Sequence, residues 1–413
     1  MGRTGGGLAT GVCAALASII LSLTLVEFGL RAVGIDHLPT LWANELGTGY
    51  AVSGNGIYRF DPSLNMVRMR PHYARKMFFN GYHWHHETDW MGFRNPLDRD
   101  RVDVALVGDS MIYGHGLEEP QTVRSHLERL LNRPVANLGI QSAAMDYEYE
   151  IIKHDAVRLN PRYLFVFFLN NDITDVEGRL SNSEMRRFLE LPEDDHTTRY
   201  FDLKPDRRHE DGDFSICDFY VVRTGLLFKH LLTRWIFDYH APRLHQGRPT
   251  GAASALKPAQ RPALPVAMPR TPSVPDRLAW MTQPPFEGDP RMQLAMQFHL
   301  YAILKARNFA ERQGMRMIYV FISVPLPYDS LYERSIADYC RTNGIEFFSL
   351  RPALDEAQRA GKQVYLPRDG HFSDEGTAVA AQAIADRFHL REPAAWPSAG
   401  PVGLPALYSK DRR

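Results

Sequence analysis

The sequence predicts an α/β fold, a parallel sheet covered by helices on both faces, and three observations carry that expectation. Five short apolar runs, at residues 102–107, 135–138, 163–169, 317–322 and 345–350, have the length and the β-branched or aromatic content of buried strands. Helical patterns separate them at residues 122–131, 143–159, 292–313 and 330–342. Polar residues with chemical potential stand just after several of the runs, and ligands of open α/β sheets bind outside the carboxyl ends of the strands.

Taken in order, the chain opens with an uncharged run, residues 8–26, long enough at helical rise to cross a hydrocarbon core. Residues 1–35 therefore read as an N-terminal transmembrane anchor. A cleaved signal peptide and a buried soluble helix compete with that reading. The run exceeds a usual signal core, however, and no small-x-small cleavage site clearly follows it. Cys13 lies inside the run with no apolar segment before it, which argues against lipoprotein processing. Arg3 flanks one side, and Arg31 diluted by Glu27 and Asp36 flanks the other. That balance favours a single-pass membrane protein with its large domain outside the cytoplasm, in the periplasm.

Residues 36–100 are rich in aromatics, Gly and Asn with short alternating pieces, and read as a strand-and-loop collar. Residues 101–390 hold the strand and helix alternation, broken at 174–290 by an insertion. Within it, residues 219–239 space Leu226, Leu227, Leu231, Leu232, Trp235 and Ile236 as an amphipathic helix does. Packing on the sheet is the simpler role for that helix, with a lid or membrane-resting face as the alternative. Residues 242–290 are Pro-rich and read as a linker, and residues 391–413 as a disordered tail.

Composition narrows the function. Lys and Arg total 48 against 48 for Asp and Glu, so no charge imbalance calls for nucleic acid, and none is expected as partner. The three cysteines, Cys13, Cys217 and Cys340, are far apart without CxxC spacing, which argues against a metal knuckle or disulfide framework. His83, His85, His86 and Glu87 cluster, but their spacing does not put three ligands on one strand face, so no metal is expected. No phosphate-binding loop is evident, and no cofactor is expected.

The chemistry concentrates in four places. Ser110 follows the first run in Gly108-Asp109-Ser110, Gly139 the second, and Asn171-Asp172 the third. Asp369-Gly370-His371 follows the fifth, before a helix expected over 372–388. Singly, each is an ordinary turn or cap residue. Together at one sheet edge they supply a hydroxyl, a base and oxyanion donors. Ser110 is a weak nucleophile until a base takes its proton, and an imidazole near neutrality suits His371 as general base and then general acid. Asp369 would fix the ring tautomer and stabilise the imidazolium. The Ser110 and Gly139 N–H groups and the Asn171 amide would form the oxyanion hole. Asp109 and Asp172 read as loop-holding hydrogen-bond acceptors. His115, in Tyr113-Gly114-His115-Gly116, reads as a surface-loop histidine, with lining of the substrate cleft as the alternative.

These blocks resemble the SGNH (GDSL-type) hydrolase superfamily, whose four blocks contribute Ser, Gly, Asn and His. Here they are Gly108-Asp109-Ser110, Asn137-Leu138-Gly139, Asn170-Asn171-Asp172 and Asp369-Gly370-His371. Asn170 stands where glycine is common, and the last block has two-residue spacing where the family usually has Asp-x-x-His. The N-terminal run, Trp90-Met91-Gly92-Phe93-Arg94 and His371-Phe372-Ser373-Asp374-Glu375-Gly376 look like membrane-anchored bacterial members. The resemblance implies a three-layer α/β/α, flavodoxin-like sandwich with a parallel five-stranded sheet. It also implies a serine esterase acting through an acyl-serine on an acylated small molecule or polysaccharide, with carbohydrate O-acetyl esters as the substrate class. An O-acyltransferase of cell-surface polysaccharide using the same serine is the runner-up. A transferase would need a separate membrane protein to supply acyl groups. A catalytically inactive binding module is the third reading.

Overall fold

The computed structural model describes residues 5–32, 57–62, 64, 66–79, 82–196, 289–324, 329–367 and 369–390. The N-terminal apolar run folds as one helix, α1 (Gly5–Ala32), with Leu16, Ile19, Ile20, Leu21, Leu25 and Phe28 exposed. Its segment Cys13–Leu30 has mean hydropathy 2.0 and is long and apolar enough to cross a membrane. The described part of the collar forms two antiparallel hairpins, β1 (Tyr58–Asp61) with β2 (Met66–Met69) and β3 (Ala74–Phe79) with β4 (Tyr82–Glu87). Met66, Met69, Met77 and Trp84 from these strands are buried in the main core, so the collar is packed onto the domain that follows it.

All five apolar runs become strands of one parallel sheet: β5 (Val104–Val107), β6 (Val135–Asn137), β7 (Tyr163–Phe168), β8 (Arg316–Phe321) and β9 (Glu346–Ser349). Their order is β6-β5-β7-β8-β9, which puts the switch in connection direction between β5 and β7. The side chains alternate between two cores with the period of a strand. Ala105, Val107, Leu164, Val166, Phe168, Met317, Tyr319 and Phe321 face one core. Val104, Leu106, Phe165, Phe167, Ile318 and Val320 face the other. Because both faces are covered, these strands read as continuous apolar runs rather than as alternating ones.

The helices follow the expected positions. After β5 come α2 (Ser110–Tyr113) and α3 (Val123–Leu131). Next is α4, which runs from Met145–Ile151 through a π-helical turn, Ile152–Ala156, to Val157–Leu159. The pattern predicts one regular helix over 143–159; the turn interrupts it where Asp155 pairs at 2.6 Å with Arg68 of β2, both side chains buried. Beyond β7 lie α5 (Asn171–Arg179) and α6 (Asn182–Leu189), the latter opened by a Ser181/Glu184 capping box. Residues 174–196 belong to the expected insertion, yet Val176, Met185 and Phe188 are part of the main core against α7 (Pro290–Arg312). The remainder of the insertion, including the helix expected over 219–239 and most of the Pro-rich stretch, and the tail from 391 lie outside the described residues. The last helices are α8 (Asp329–Thr342), α9 (Arg351–Arg359) and α10 (Asp374–Arg387). Helices α4 to α8 cover one face of the sheet and α3, α9 and α10 the other, which makes three layers.

One core histidine gives a stability prediction. His299 of α7 is fully buried and shares a 2.7 Å hydrogen bond with the Tyr319 hydroxyl. Burial pushes its pKa down from 6.5 to about 3. A depressed histidine contributes stability that is present above its unfolded pKa of 6.5 and is lost as pH falls toward 3. Between pH 7 and 5 the unfolded ring gains a proton that the folded ring refuses, which costs about 2 kcal/mol. Urea unfolding of wild type and His299→Gln at the two pH values is expected to show the variant recovering that amount relative to wild type. A difference unchanged with pH would contradict a neutral buried His299.

Candidate active site

The site assembles from the ends of β5, β6 and β7 and from the loop before α10. Strand β5 stops at Gly108, and Asp109 caps α2 by accepting the Met111 N–H at 2.9 Å. Ser110 is then the first residue of α2, a position whose N–H has no acceptor within the helix. The loop before α10 is pinned on both sides. Tyr365 pairs with Phe372 in a bridge, the Leu366 N–H donates to the His371 carbonyl, and Ser373 caps α10 by accepting the Gly376 N–H at 3.1 Å. Gly370 lies at φ +89°, a left-handed bend that turns Asp369 and His371 toward each other across one residue. That bend explains how a two-residue spacing brings the carboxylate to the ring.

His371 Nε2 lies 2.8 Å from Ser110 Oγ, and its Nδ1 is in close hydrogen-bond contact with Asp369 Oδ1. The Asp369 carboxylate is 1% exposed and the imidazole 22%, so the acid is sealed and the base reaches the surface. The structure thus brings Ser110, His371 and Asp369 into one hydrogen-bonded chain from residues 261 positions apart.

The two other expected donors lie beside this chain with partners of their own. The Gly139 N–H donates at 2.8 Å to Asn137 Oδ1, while Asn137 Nδ2 donates to the Ile112 carbonyl at 2.8 Å. A Cβ at Gly139 would sit 2.4 Å from the Tyr113 backbone nitrogen, so glycine is required here for α2 to lie against the end of β6. Asn171 opens α5, and its Nδ2 donates to Asp175 at 3.3 Å. Asp172 accepts the Leu169 N–H at 3.2 Å, the loop-holding role expected of it. Burial, with Asp109 and Asp146 nearby, holds the Glu148 carboxyl well above its usual range, and burial beside Glu148 does the same for Asp172. Burial likewise raises Asp109, and it pushes Asp175 up to about 6.

His115 is not a surface-loop histidine. It is 3% exposed, and its ring stacks on His371 with centroids 4.2 Å apart and planes 23° from parallel. Gly114 at φ +83° and Gly116 at φ +76° fold the loop inward, and the His115 N–H donates to the Ser110 carbonyl at 3.0 Å. Its Nδ1 meets Gln141 Oε1 at 3.0 Å, and Trp84 packs on it with centroids 4.7 Å apart.

Sequence reasoning passed over the supports of this loop. Arg94, fully buried, donates to the carbonyls of Gly114 at 2.7 Å, His85 at 2.9 Å and Tyr113 at 3.3 Å, and also to that of Leu117. Asn95 pairs with the backbone of Asn137, accepting its N–H at 2.8 Å and donating to its carbonyl at 3.0 Å. The Tyr82 hydroxyl donates at 2.7 Å to the Pro367 carbonyl, tying β4 to the loop of Asp369 and His371. The resemblance at Trp90-Met91-Gly92-Phe93-Arg94 was the available signal, but it does not say what Arg94 touches.

His115, Asp369 and His371 place ligand atoms within 4.8 Å of one another. They do not fit a metal. Both His371 nitrogens are committed to Ser110 and Asp369, and stacked rings direct their in-plane lone pairs side by side rather than to a common point. On β4, His85 is exposed against Glu118 at 3.1 Å, whereas His86 is buried against the Tyr113 hydroxyl at 2.8 Å. The strand therefore splits these two histidines between its faces.

Residues 324–399, which include the Asp369-Gly370-His371 block, match the family model described as SGNH hydrolase-like domain, acetyltransferase AlgX. That stretch of the chain is similar to an SGNH hydrolase-like domain. The matched stretch supplies β9 of the five-stranded parallel sheet and the helices α8, α9 and α10. Similar solved structures include a protein described as lipolytic, of the G-D-S-L family, from Desulfitobacterium hafniense. It is 11% identical with TM-score 0.34, over 68% of this chain and 97% of that one. An acetylxylan esterase from Geobacillus stearothermophilus is 10% identical with TM-score 0.34, over 70% and 94%. A GDSL-like lipase from Bacteroides thetaiotaomicron is 11% identical with TM-score 0.31, over 69% and 87%. No curated protein matches the chain. Ser110 on α2 and Asn171 on α5 flank the connection switch between β5 and β7.

Proposed function

We propose that the α/β domain is an SGNH-type domain that forms an acyl-serine at Ser110 from an O-acyl ester, with O-acetyl groups on carbohydrate as the substrate class, and that it works on the periplasmic side of a membrane in which α1 anchors it. The observation that carries the proposal is the hydrogen-bonded chain from Ser110 through His371 to Asp369. His371 Nε2 takes the Ser110 proton as Oγ attacks the acyl carbon, and Asp369 stabilises the imidazolium. The tetrahedral oxyanion draws the Ser110 N–H first, since no helical acceptor occupies it. The Asn171 amide and the Gly139 N–H join it by sharing or trading their present acceptors. The proton on His371 passes to the leaving alcohol, and the acyl group remains on Ser110.

Hydrolysis completes the cycle when His371 draws a proton from water that attacks the acyl carbon; the bond from that carbon to Ser110 Oγ then breaks, His371 returns the proton to Oγ, and the carboxylic acid leaves. A second reading, transfer of the acyl group to a sugar hydroxyl, is supported by the acetyltransferase description of the family model that spans Asp369 and His371. The full chain in detergent is to be given a radiolabelled acetyl ester with and without an oligosaccharide acceptor, beside Ser110→Ala. Hydrolysis predicts labelled free acetate regardless of acceptor. Transfer predicts labelled oligosaccharide and a fall in free acetate. An unreactive wild-type serine, with no fluorophosphonate label at Ser110, would overturn the acyl-serine reading and favour a binding module.

A further inference from the structure

We infer that His115 is a positioning residue for His371, acting through the face of its ring rather than by bonding to substrate; the inference rests on the acyl-serine reading above. The two hydrogen bonds of His371, to Ser110 Oγ and Asp369, act in the plane of the imidazole at opposite edges. They set the direction of the ring and leave its tilt about the line joining them to be fixed by packing. His115 supplies that packing, with its ring 4.2 Å from that of His371 and 23° from parallel. The flanks of the His371 loop are pinned, but its tip at Gly370 is open on its outer side. A Cβ added at Gly370, which lies at φ +89°, would meet nothing within 4 Å, and the His371 imidazole is 22% exposed.

His115 is itself held on three sides. Gln141 Oε1 meets its Nδ1 at 3.0 Å, Trp84 backs it at 4.7 Å, and its N–H bonds the Ser110 carbonyl. One loop thereby references the base to the same short helix that carries the nucleophile. Burial first, and then the neighbouring His371, push His115 down to about 4, so the ring facing His371 is uncharged at neutral pH. When His371 takes the serine proton, only one of the two stacked rings carries charge. A cationic His115 would instead oppose that transfer by like-charge repulsion at close range.

The test compares the full chain in detergent with His115→Ala, His115→Phe and His115→Gln. The readouts are the rate of fluorophosphonate labelling at Ser110, and kcat and KM on an aryl acetate. Alanine and glutamine remove the aromatic face and are expected to lower kcat and the labelling rate on the order of 10²-fold, with KM little changed. Phenylalanine keeps the face and is expected to restore most of the loss. If alanine proves too unstable to purify, the contrast between phenylalanine and glutamine decides. Glutamine active with phenylalanine inactive would make the hydrogen bond to Gln141 the feature that matters and overturn the inference. Wild-type rates in all three variants, or a raised KM with kcat unchanged, would also overturn it and leave the acyl-serine reading standing. A wild type that neither labels nor turns over would overturn both.

Discussion

Ser110→Ala, His371→Ala and the double variant are each expected to lower ester turnover by about the same factor, on the order of 10⁶. The equality follows from the geometry. Ser110 Oγ has His371 Nε2 at 2.8 Å, so the hydroxyl without the base is a neutral alcohol, and the base without the hydroxyl has nothing to activate. Removing the second member after the first loses nothing further. Asp369→Asn should retain more, with a loss of about 10⁴, because an amide at Nδ1 still packs against the ring while favouring the wrong tautomer. Initial rates on an aryl acetate, measured beside melting curves, check this order. A double variant that loses the product of the two single losses would mean that Ser110 and His371 act in separate steps.

Arg94→Met should destabilise the fold by about 1–3 kcal/mol and lower turnover as well. Arg94 is buried, and its guanidinium donates to the backbone carbonyls of His85, Tyr113, Gly114 and Leu117. Methionine of similar length would relieve the cost of burying a cation. It would also leave those carbonyls short of donors, and each buried polar group left so costs about 1–3 kcal/mol. The carbonyls belong to the strand and the loop that surround His115, so the loss is expected to reach catalysis through the His371 contact. Denaturant unfolding gives the stability change, and kcat against KM gives the catalytic one. A stable variant with reduced kcat would assign Arg94 to loop geometry alone; one with both unchanged would show that water replaces the guanidinium without cost.

The central strands were legible because they are buried on both faces, whereas Glu346–Ser349 at the sheet edge is half-buried throughout. A strand such as Val104–Val107, fully buried, must be apolar throughout, and the run stops where the chain reaches a polar edge at Asp109 and Ser110. The helices expected over 122–131, 292–313 and 372–388 begin in the structure after Thr122, Asp289 and Ser373, whose side chains accept backbone N–H groups at the helix ends. Asp155 and Arg68 were not legible as a pair, because nothing local in either sequence names a partner 87 residues away. His115 was misjudged on the same ground: two flanking glycines and a polar ring suit an exposed turn, and only packing against Trp84 and His371 turns the loop inward.

By itself, the sequence determined the number and approximate positions of the sheet's strands, the apolar character of α1, and the candidate residues at one sheet edge, since periodicity and turn chemistry act over a few residues. The tertiary structure alone decided that Gly370 bends Asp369 onto His371, that Asn137 takes the Gly139 N–H, and that Arg94 and His115 support the loop beside the base. Those contacts depend on close packing between segments far apart in the chain, where a shift of about 1 Å changes the partner a polar atom meets.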